Sequence, residues 1–187
     1  MNCVQELFTE RHGIVERIAR RSIELILATT AISLALVFYT AGVFSERHAG
    51  KLKLPHLVMF WIGLTFDTTG TTIMTMMAQS SGLETGLGVH GVTGALAIVL
   101  MLIHAGWATV TYVRHNAKGE ANFHKFSTLV WLLWLVPYII GLLIGIPMIH
   151  LLPVCAIGTS IIVVGALAFL MLRKRGDGKG KQSHSHA

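Results

Sequence analysis

Charged residues are scarce and cysteines are few in this sequence. Only 13% of its 187 residues are Asp, Glu, Lys or Arg, whereas a soluble domain carries about a quarter. The two cysteines, Cys3 and Cys155, form neither a CxxC pair nor a disulfide framework, so they identify no redox compartment. Together with a mean hydropathy of +0.64, this shortage of charge excludes an ordinary soluble enzyme and a disordered chain.

Common catalytic signatures are missing as well. The sequence contains no GxSxG, HExxH or P-loop motif, so the hydrolases and nucleotide-binding enzymes that use them are not indicated. The net charge of +6 comes mainly from Lys and Arg in loops and in the C-terminal tail. That distribution is typical of the edges of a membrane protein, and we expect no nucleic-acid partner.

Long apolar segments dominate what is present. Each is close to the ~20 residues that a helix needs to cross a ~30 Å hydrocarbon core. We therefore predict an all-α polytopic membrane protein with a four-helix bundle and a fifth transmembrane helix. Residues 1–22 are predicted to be a polar, amphipathic segment, residues 23–173 the transmembrane domain and residues 174–187 a disordered basic tail. The five segments cover about 25–44, 55–78, 89–113, 126–146 and 151–172.

The loops predict an orientation. The connections ERHAGKLK and RHNAKGEANFHK and the tail RKRGDGKGK are basic, whereas AQSSGLETGLG carries no Lys or Arg. The positive-inside rule places the basic loops and the C-terminus in the cytoplasm. We expect a multi-pass protein of the prokaryotic cytoplasmic membrane. The N-terminus then lies outside, against the preference of its four arginines, Arg11, Arg17, Arg20 and Arg21.

The third segment reads HGVTGALAIVLMLIHAGWATV and carries two histidines. His90 and His104 are about four helical turns apart, so they share one helix face at a separation of about 21 Å. That spacing suits two macrocycles stacked across a bilayer, and imidazole is a good iron ligand. Both histidines are candidate heme ligands, with packing roles as the alternative.

The second segment, PHLVMFWIGLTFDTTGTTIMTMM, places three more candidates on one face. His56, Asp67 and Met74 recur near whole numbers of helical turns. An acid in the middle of a membrane is costly and indicates a functional site by default, such as a proton site or a contact with a heme propionate. The alternative is a helix-packing acid. The threonines between Thr68 and Thr72 are predicted to join helices.

Depth in the membrane limits which candidates can pair. His104 is predicted to share one heme iron with His56 or with His124 from NFHKFSTLVWLLWLVPYII. His90 lies near the opposite face, where Met74 is its predicted partner and His150 competes. Trp134 is interpreted as an anchor at the membrane interface.

These motifs resemble a known family. The stretch from about residue 25 to 145 is similar to the small heme-binding membrane proteins of the HsmA type, which occur in bacteria and archaea. The resemblance implies a four-span bundle that sequesters heme and confers heme tolerance, and it carries over to His56, Asp67, His90, His104 and His124. It rests on the motifs LVFYTAGVFSER, LPHLVMFWIGLTFDTTGTT, HGVTGALAIVLMLIHAGWATV and ANFHKFSTLVWLLWLVPYIIG.

We therefore expect a membrane protein that binds one or two b-type hemes and captures or sequesters them without turnover. One alternative is a di-heme cytochrome b-like electron carrier that oxidises a quinol, which would make the protein an oxidoreductase. Another is a metal or proton-coupled transporter that uses Asp67 and the histidines. A purely structural scaffold also fits the pattern. The expected partners are heme and lipid, with a quinone and a second copy of the chain as further candidates.

Overall fold

The computed structural model describes residues 2–80, 89–114, 117–145 and 152–183, with side chains within 10–80, 92–114, 122–143 and 154–171. Every regular element in these ranges is an α-helix, and the described residues contain no strand. The all-α prediction is confirmed. The helices are α1 (Asn2–Ala49), α2 (Leu54–Ser80), α3 (Val89–Arg114), α4 (Ala117–Gly145) and α5 (Pro153–Ser183).

Four of the helices are long and apolar enough to cross a membrane. The multi-pass character predicted from hydropathy is therefore supported by helices of sufficient length. α2, which carries Asp67 and the threonines, is not one of the four, so its crossing of the membrane stays a prediction. The four candidate spans are Glu10–Ala49, Val92–Arg114, Asn122–Leu143 and Val154–Met171.

The first four helices form a bundle and the fifth lies outside it. α1 packs mainly against α2 and also meets α4, while α3 contacts both α2 and α4. Within the described residues, α5 packs only against α4, and Ala156 and Ser160 of α5 are fully buried. Most other described side chains of α5 are exposed, in keeping with a helix that faces lipid.

α1 and α2 approach closely because glycines lie at their contact. A Cβ added at Gly42 would lie 2.6 Å from the Phe60 ring, and one at Gly63 would lie 2.7 Å from the Tyr39 ring. Small residues allow helices in a membrane to pack at short range. The pairings show that α2 runs antiparallel to α1, which brings Glu46 near the start of α2 and Tyr39 deeper into the bundle.

α1 continues well beyond the bundle towards its N-terminus. Its 48 residues correspond to about 72 Å, more than twice the ~30 Å hydrocarbon core. From residue 10 to residue 27 nearly all side chains are exposed, and burial begins at Ala28. Residues 2–22 belong to this continuous helix, so the helix has no break at the predicted boundary between residues 22 and 23.

Two helices continue beyond their predicted apolar segments. α1 continues through Ala49 and stops at Gly50, whose φ of 67° is a left-handed conformation that favours glycine after a helix. At the other end, α5 extends to Ser183. The backbone is therefore helical over much of the tail for which the composition predicted disorder.

Candidate functional site

His104 lies at the centre of the bundle with no exposed surface. α3 presents it to α4, where its Nε2 lies 3.1 Å from Oγ of Ser127. Its ring is parallel to that of Phe123, with centroids 5.2 Å apart, and lies 4.5 Å from the ring of Phe60. The imidazole is thus fixed by one hydrogen bond and two aromatic rings.

The second ring nitrogen of His104, Nδ1, differs from Nε2 in its hydrogen bonding. Nδ1 is buried and has no hydrogen-bond partner among the side chains and backbone that the structure describes. A buried polar atom without a partner costs about 1–3 kcal/mol, so such atoms are uncommon unless a ligand satisfies them. When Nε2–H donates to Ser127, Nδ1 presents a lone pair that is suited to bind a metal.

His124 uses both of its ring nitrogens within the protein. Its Nδ1 meets the carboxyl group of Glu46 on α1, and its Nε2 donates to the Gly50 carbonyl oxygen at 3.1 Å. Glu46 is completely buried although it is an acid near the end of α1. This contact joins α4 to the end of α1 and leaves no nitrogen of His124 for a metal unless the contact breaks.

His56 is held at the start of α2. Its Nδ1 accepts a hydrogen bond of 3.2 Å from the backbone N–H of Lys53, and only 6% of its surface is exposed. A neutral imidazole whose Nδ1 accepts carries its proton on Nε2. His56 therefore caps the turn that leads into α2, which is the structural role that a histidine at a helix start can take.

Asp67 forms a separate polar group deeper in the bundle. Its Oδ2 accepts a hydrogen bond of 2.9 Å from the indole Nε1–H of Trp134, and both residues are buried. The Tyr39 ring packs edge-on against Trp134 at 5.0 Å, and its hydroxyl interacts electrostatically with Asp67 but has no hydrogen-bond partner among the described residues. Asp67 thus lies at the contact of α2 with α1 and α4, bound by side chains and not open to lipid.

The structure brings only some of the predicted site residues together. His56 and Asp67 both lie on the buried face of α2, and Met74 on the same helix is half-buried. His90 is the second residue of α3, but its side chain lies outside the described part of the structure, as does the whole of His150. The predicted pairing of His90 with Met74 therefore stays a prediction.

No multi-ligand metal centre is formed by the described side chains, among which no three His, Cys, Asp or Glu residues lie close enough together to hold a metal ion. The predicted pairing of His104 with His56 or His124 stays a prediction, and the hydrogen bonds given above hold both of these imidazoles in other contacts. A heme iron needs fewer protein ligands than a bound metal ion, because the porphyrin supplies four nitrogens and the protein supplies only one or two ligands.

Sequence reasoning missed Glu46 and Ser127 and misinterpreted Trp134. The charge pattern predicts a basic loop at Glu46, yet this residue continues the series of buried positions Ala35, Tyr39 and Val43 at helical spacing. Extending that periodicity through the charged residues would have found it. The interpretation of Trp134 as an interface anchor was wrong, since it is 2% exposed and bonds to Asp67.

Comparisons with known proteins add no information on the family. No family model, no curated protein and no solved structure matches this chain. The resemblance to the HsmA type therefore remains a prediction from the motifs.

Proposed function

We propose that this protein binds heme in the membrane and holds it by His104, with capture or sequestration as its role. The observation that carries the proposal is the state of the two nitrogens of this imidazole. Nε2 is fixed by Ser127 at 3.1 Å, while the fully buried Nδ1 has no partner in the described residues. Metal-binding histidines have the same arrangement, in which one nitrogen binds the metal and the other is held by a neighbouring group.

The surroundings of His104 are aromatic and apolar, and a porphyrin that reached its buried Nδ1 would have to displace a neighbouring side chain. Its ring is bordered by Phe60, Phe123 and Phe126, whose centroids lie 4.5, 5.2 and 6.1 Å away. These apolar rings exclude water, which favours a porphyrin over a hydrated metal ion. A bound heme would supply an iron that accepts the Nδ1 lone pair as an axial ligand.

We assign one axial ligand to the described part of the chain. His124 would have to leave Glu46, and His56 would have to leave the Lys53 backbone, before either reached an iron. A heme held by His104 alone would be able to bind a small ligand such as carbon monoxide when reduced. The number of hemes and an outer site at His90 stay predictions.

Titration of the purified full-length protein with hemin tests this function. Wild type is expected to develop a saturable Soret band and to bind carbon monoxide after reduction. His104→Ala should lower heme affinity about 10-fold or more, because the axial ligand is lost. The matched control is His48→Ala, which removes an exposed histidine of α1 and should leave the affinity unchanged.

A second variant guards against misfolding of His104→Ala. Ser127→Ala keeps the imidazole and removes the group that holds Nε2, so heme affinity should fall by about 10-fold with the fold intact. Equal affinity in wild type, His104→Ala and Ser127→Ala would reject His104 as the ligand. A colourless protein after hemin addition would reject heme binding altogether.

Proton-coupled transport is the second candidate, and the buried carboxyl group of Asp67 favours it. Ionisable residues within membrane bundles commonly mark the pathways of ions and protons. A colourless wild type together with proton uptake by vesicles that Asp67→Asn abolishes would support transport. Two hemes per chain in the titration would instead favour the di-heme electron carrier with a quinol donor.

A further inference from the structure

We propose that Glu46 fixes the proton of the His104 imidazole on Nε2 by orienting the Ser127 hydroxyl that lies between them. The three side chains come from α1, α4 and α3, and all are fully buried. We call them the Glu46 relay, in which Glu46 is a positioning residue that acts through Ser127. The inference rests on the proposed function only for its benefit to heme binding, because the position of the proton is a property of the chain without heme.

Ser127 faces Glu46 because of its place on α4. His124 lies three residues earlier on this helix, so the two side chains share one face of it. Nδ1 of His124 meets Oε1 of Glu46, and the Ser127 hydroxyl interacts with the same carboxyl group. The contact with Ser127 does not reach the geometry of a full hydrogen bond, and Oε2 of Glu46 has no hydrogen-bond partner among the described residues. The carboxyl group therefore faces two polar groups of α4 and still has an unpaired oxygen.

Oε2 of Glu46 is an acceptor whichever residue holds the proton of its contact with His124. With that proton on Nδ1 of His124, Glu46 is a carboxylate and both of its oxygens accept. With the proton on Oε1, the group is a carboxylic acid, and Oε2 is its carbonyl oxygen, which also accepts. In both cases Glu46 requires from Ser127 the same thing, which is a donated hydrogen.

The Ser127 hydroxyl has one hydrogen to donate and lone pairs that accept. Serine and threonine in helices often donate to the carbonyl oxygen four residues earlier, as Thr128 does to His124 at 3.1 Å. Ser127 forms no such bond among the described residues, where its hydrogen-bond partner is Nε2 of His104 at 3.1 Å. Its hydrogen is therefore available either to Glu46 or to Nε2 of His104.

The two choices leave different numbers of buried groups unpaired within the described residues. If Ser127 donates to Glu46, its oxygen accepts Nε2–H of His104, and only Nδ1 of His104 lacks a partner. If Ser127 donates to Nε2, His104 carries its proton on Nδ1, and both Nδ1–H and Oε2 of Glu46 lack partners. A buried polar group without a partner is costly, so the first choice is favoured.

This choice prepares His104 for an iron. Nδ1 has to be unprotonated to bind a metal, and a hydrogen bond from the other nitrogen raises the basicity of the imidazole. A His104 with its proton on Nδ1 would have to move that proton before Nδ1 could bind. The Glu46 relay holds the lone pair on Nδ1 before any ligand arrives.

Nitrogen NMR of the full chain without heme locates the proton of His104. The histidines are labelled with the heavy nitrogen isotope, and the protein is kept at mildly alkaline pH, where imidazoles are neutral. The signals of His104 are identified by their absence from His104→Ala. We expect Nε2 to have the chemical shift of a protonated nitrogen and Nδ1 that of an unprotonated one.

Two substitutions of Glu46 separate the acceptor from the charge. Glu46→Leu removes the acceptor at similar size, so the Ser127 hydrogen is released to Nε2 and part of the His104 population should carry its proton on Nδ1. Glu46→Gln keeps an oxygen for Ser127 while its amide donates to Nδ1 of His124, so the tautomer should stay as in wild type. Glu16→Leu, at an exposed glutamate of the same helix, is the control and should match wild type.

Hemin titration of the same variants tests the benefit to heme binding. Glu46→Leu should lower heme affinity about 10-fold, as for loss of a group that orients a metal-binding histidine. Glu46→Gln and Glu16→Leu should keep the wild-type affinity. A colourless wild type with the His104 proton on Nε2 would reject the proposed function and leave the relay. A wild type that binds heme but carries this proton on Nδ1 before heme is added would reject the relay and leave the proposed function.

Two NMR results would overturn the Glu46 relay. One is a wild-type His104 whose proton lies on Nδ1. The other is a Glu46→Leu variant in which His104 keeps the wild-type tautomer. If Glu46→Leu does not fold, Ser127→Ala decides, because it removes the acceptor at Nε2 and should also raise the share of His104 with its proton on Nδ1. An unchanged tautomer in Ser127→Ala would overturn the relay as well.

Discussion

Single polar side chains join the helices of this bundle at a few defined places. His104 meets Ser127, Glu46 meets His124, and Asp67 meets Trp134, each pair lying on two different helices. In a low-dielectric interior, each of these groups would be costly without its partner. Three buried polar atoms have no hydrogen-bond partner among the described residues, namely the Tyr39 hydroxyl, Oε2 of Glu46 and Nδ1 of His104.

The pair of Asp67 and Trp134 gives a residue-level prediction. Trp134→Phe removes the indole donor and leaves a buried carboxyl oxygen without its 2.9 Å hydrogen bond. We expect the free energy of unfolding to fall by about 1–3 kcal/mol, which thermal unfolding in detergent micelles measures.

A second tryptophan provides the control for this variant. Trp61 also donates from Nε1, to Thr109 at 3.2 Å, but it is 42% exposed. Trp61→Phe should therefore lower the unfolding temperature less than Trp134→Phe. An equal fall of the unfolding temperature in the two variants would show that the buried hydrogen bond to Asp67 stabilises the protein no more than the exposed one.

At the scale of helices, the contact between α1 and α2 depends on close packing more than on hydrogen bonds. Its glycines leave room for aromatic rings of the facing helix, whereas the threonines of α2 form hydrogen bonds within their own helix. The hydroxyls of Thr68, Thr69 and Thr72 each bond to the carbonyl four residues earlier, at 2.7–2.8 Å. The prediction that these hydroxyls join two helices is therefore not supported by the hydrogen bonds of the structure.

Substitution of Gly63 tests how far the close packing of α1 and α2 stabilises the protein. A Cβ there would lie 2.7 Å from two atoms of the Tyr39 ring, which is itself buried against Trp134. Gly63→Ala should therefore push the helices apart or force Tyr39 from its position, at a cost of about 1–3 kcal/mol in the free energy of unfolding.

An open glycine on another helix serves as the comparison. A Cβ at Gly106 of α3 would have no described atom within 4 Å. Gly106→Ala should leave the free energy of unfolding unchanged or raise it by up to about 1 kcal/mol, since alanine favours a helix. If Gly63→Ala and Gly106→Ala had the same free energy of unfolding, the close contact of α1 and α2 would not contribute to stability.

For the whole molecule, apolar run length predicted five helices in nearly the right places. Helix ends were less predictable, since charged residues such as Glu46 and the arginines of residues 10–24 continue α1 beyond its apolar part. Composition places charge outside the membrane domain, but a helix continues as long as its backbone hydrogen bonds are favourable. The predicted arrangement of four bundled helices with a fifth beside them agrees with the packing.

Sequence patterns predicted the kind of candidate site but only some of its residues. Face and depth arguments identified His104 as a central residue, because a histidine in the middle of an apolar helix must find a partner. They did not identify Ser127 or Glu46 as partners, since partners on other helices depend on how the helices rotate in the bundle. That rotation follows from close contacts such as Gly42 with Phe60, which spacing along one helix does not reveal.

A density map of the full chain with heme bound is the most direct test of heme binding by His104. We expect a heme within the bundle, with its iron bound by Nδ1 of His104 and with Nε2 still in contact with Ser127. A heme bound elsewhere, or a heme-exposed protein whose bundle interior holds only side chains around His104, would contradict it.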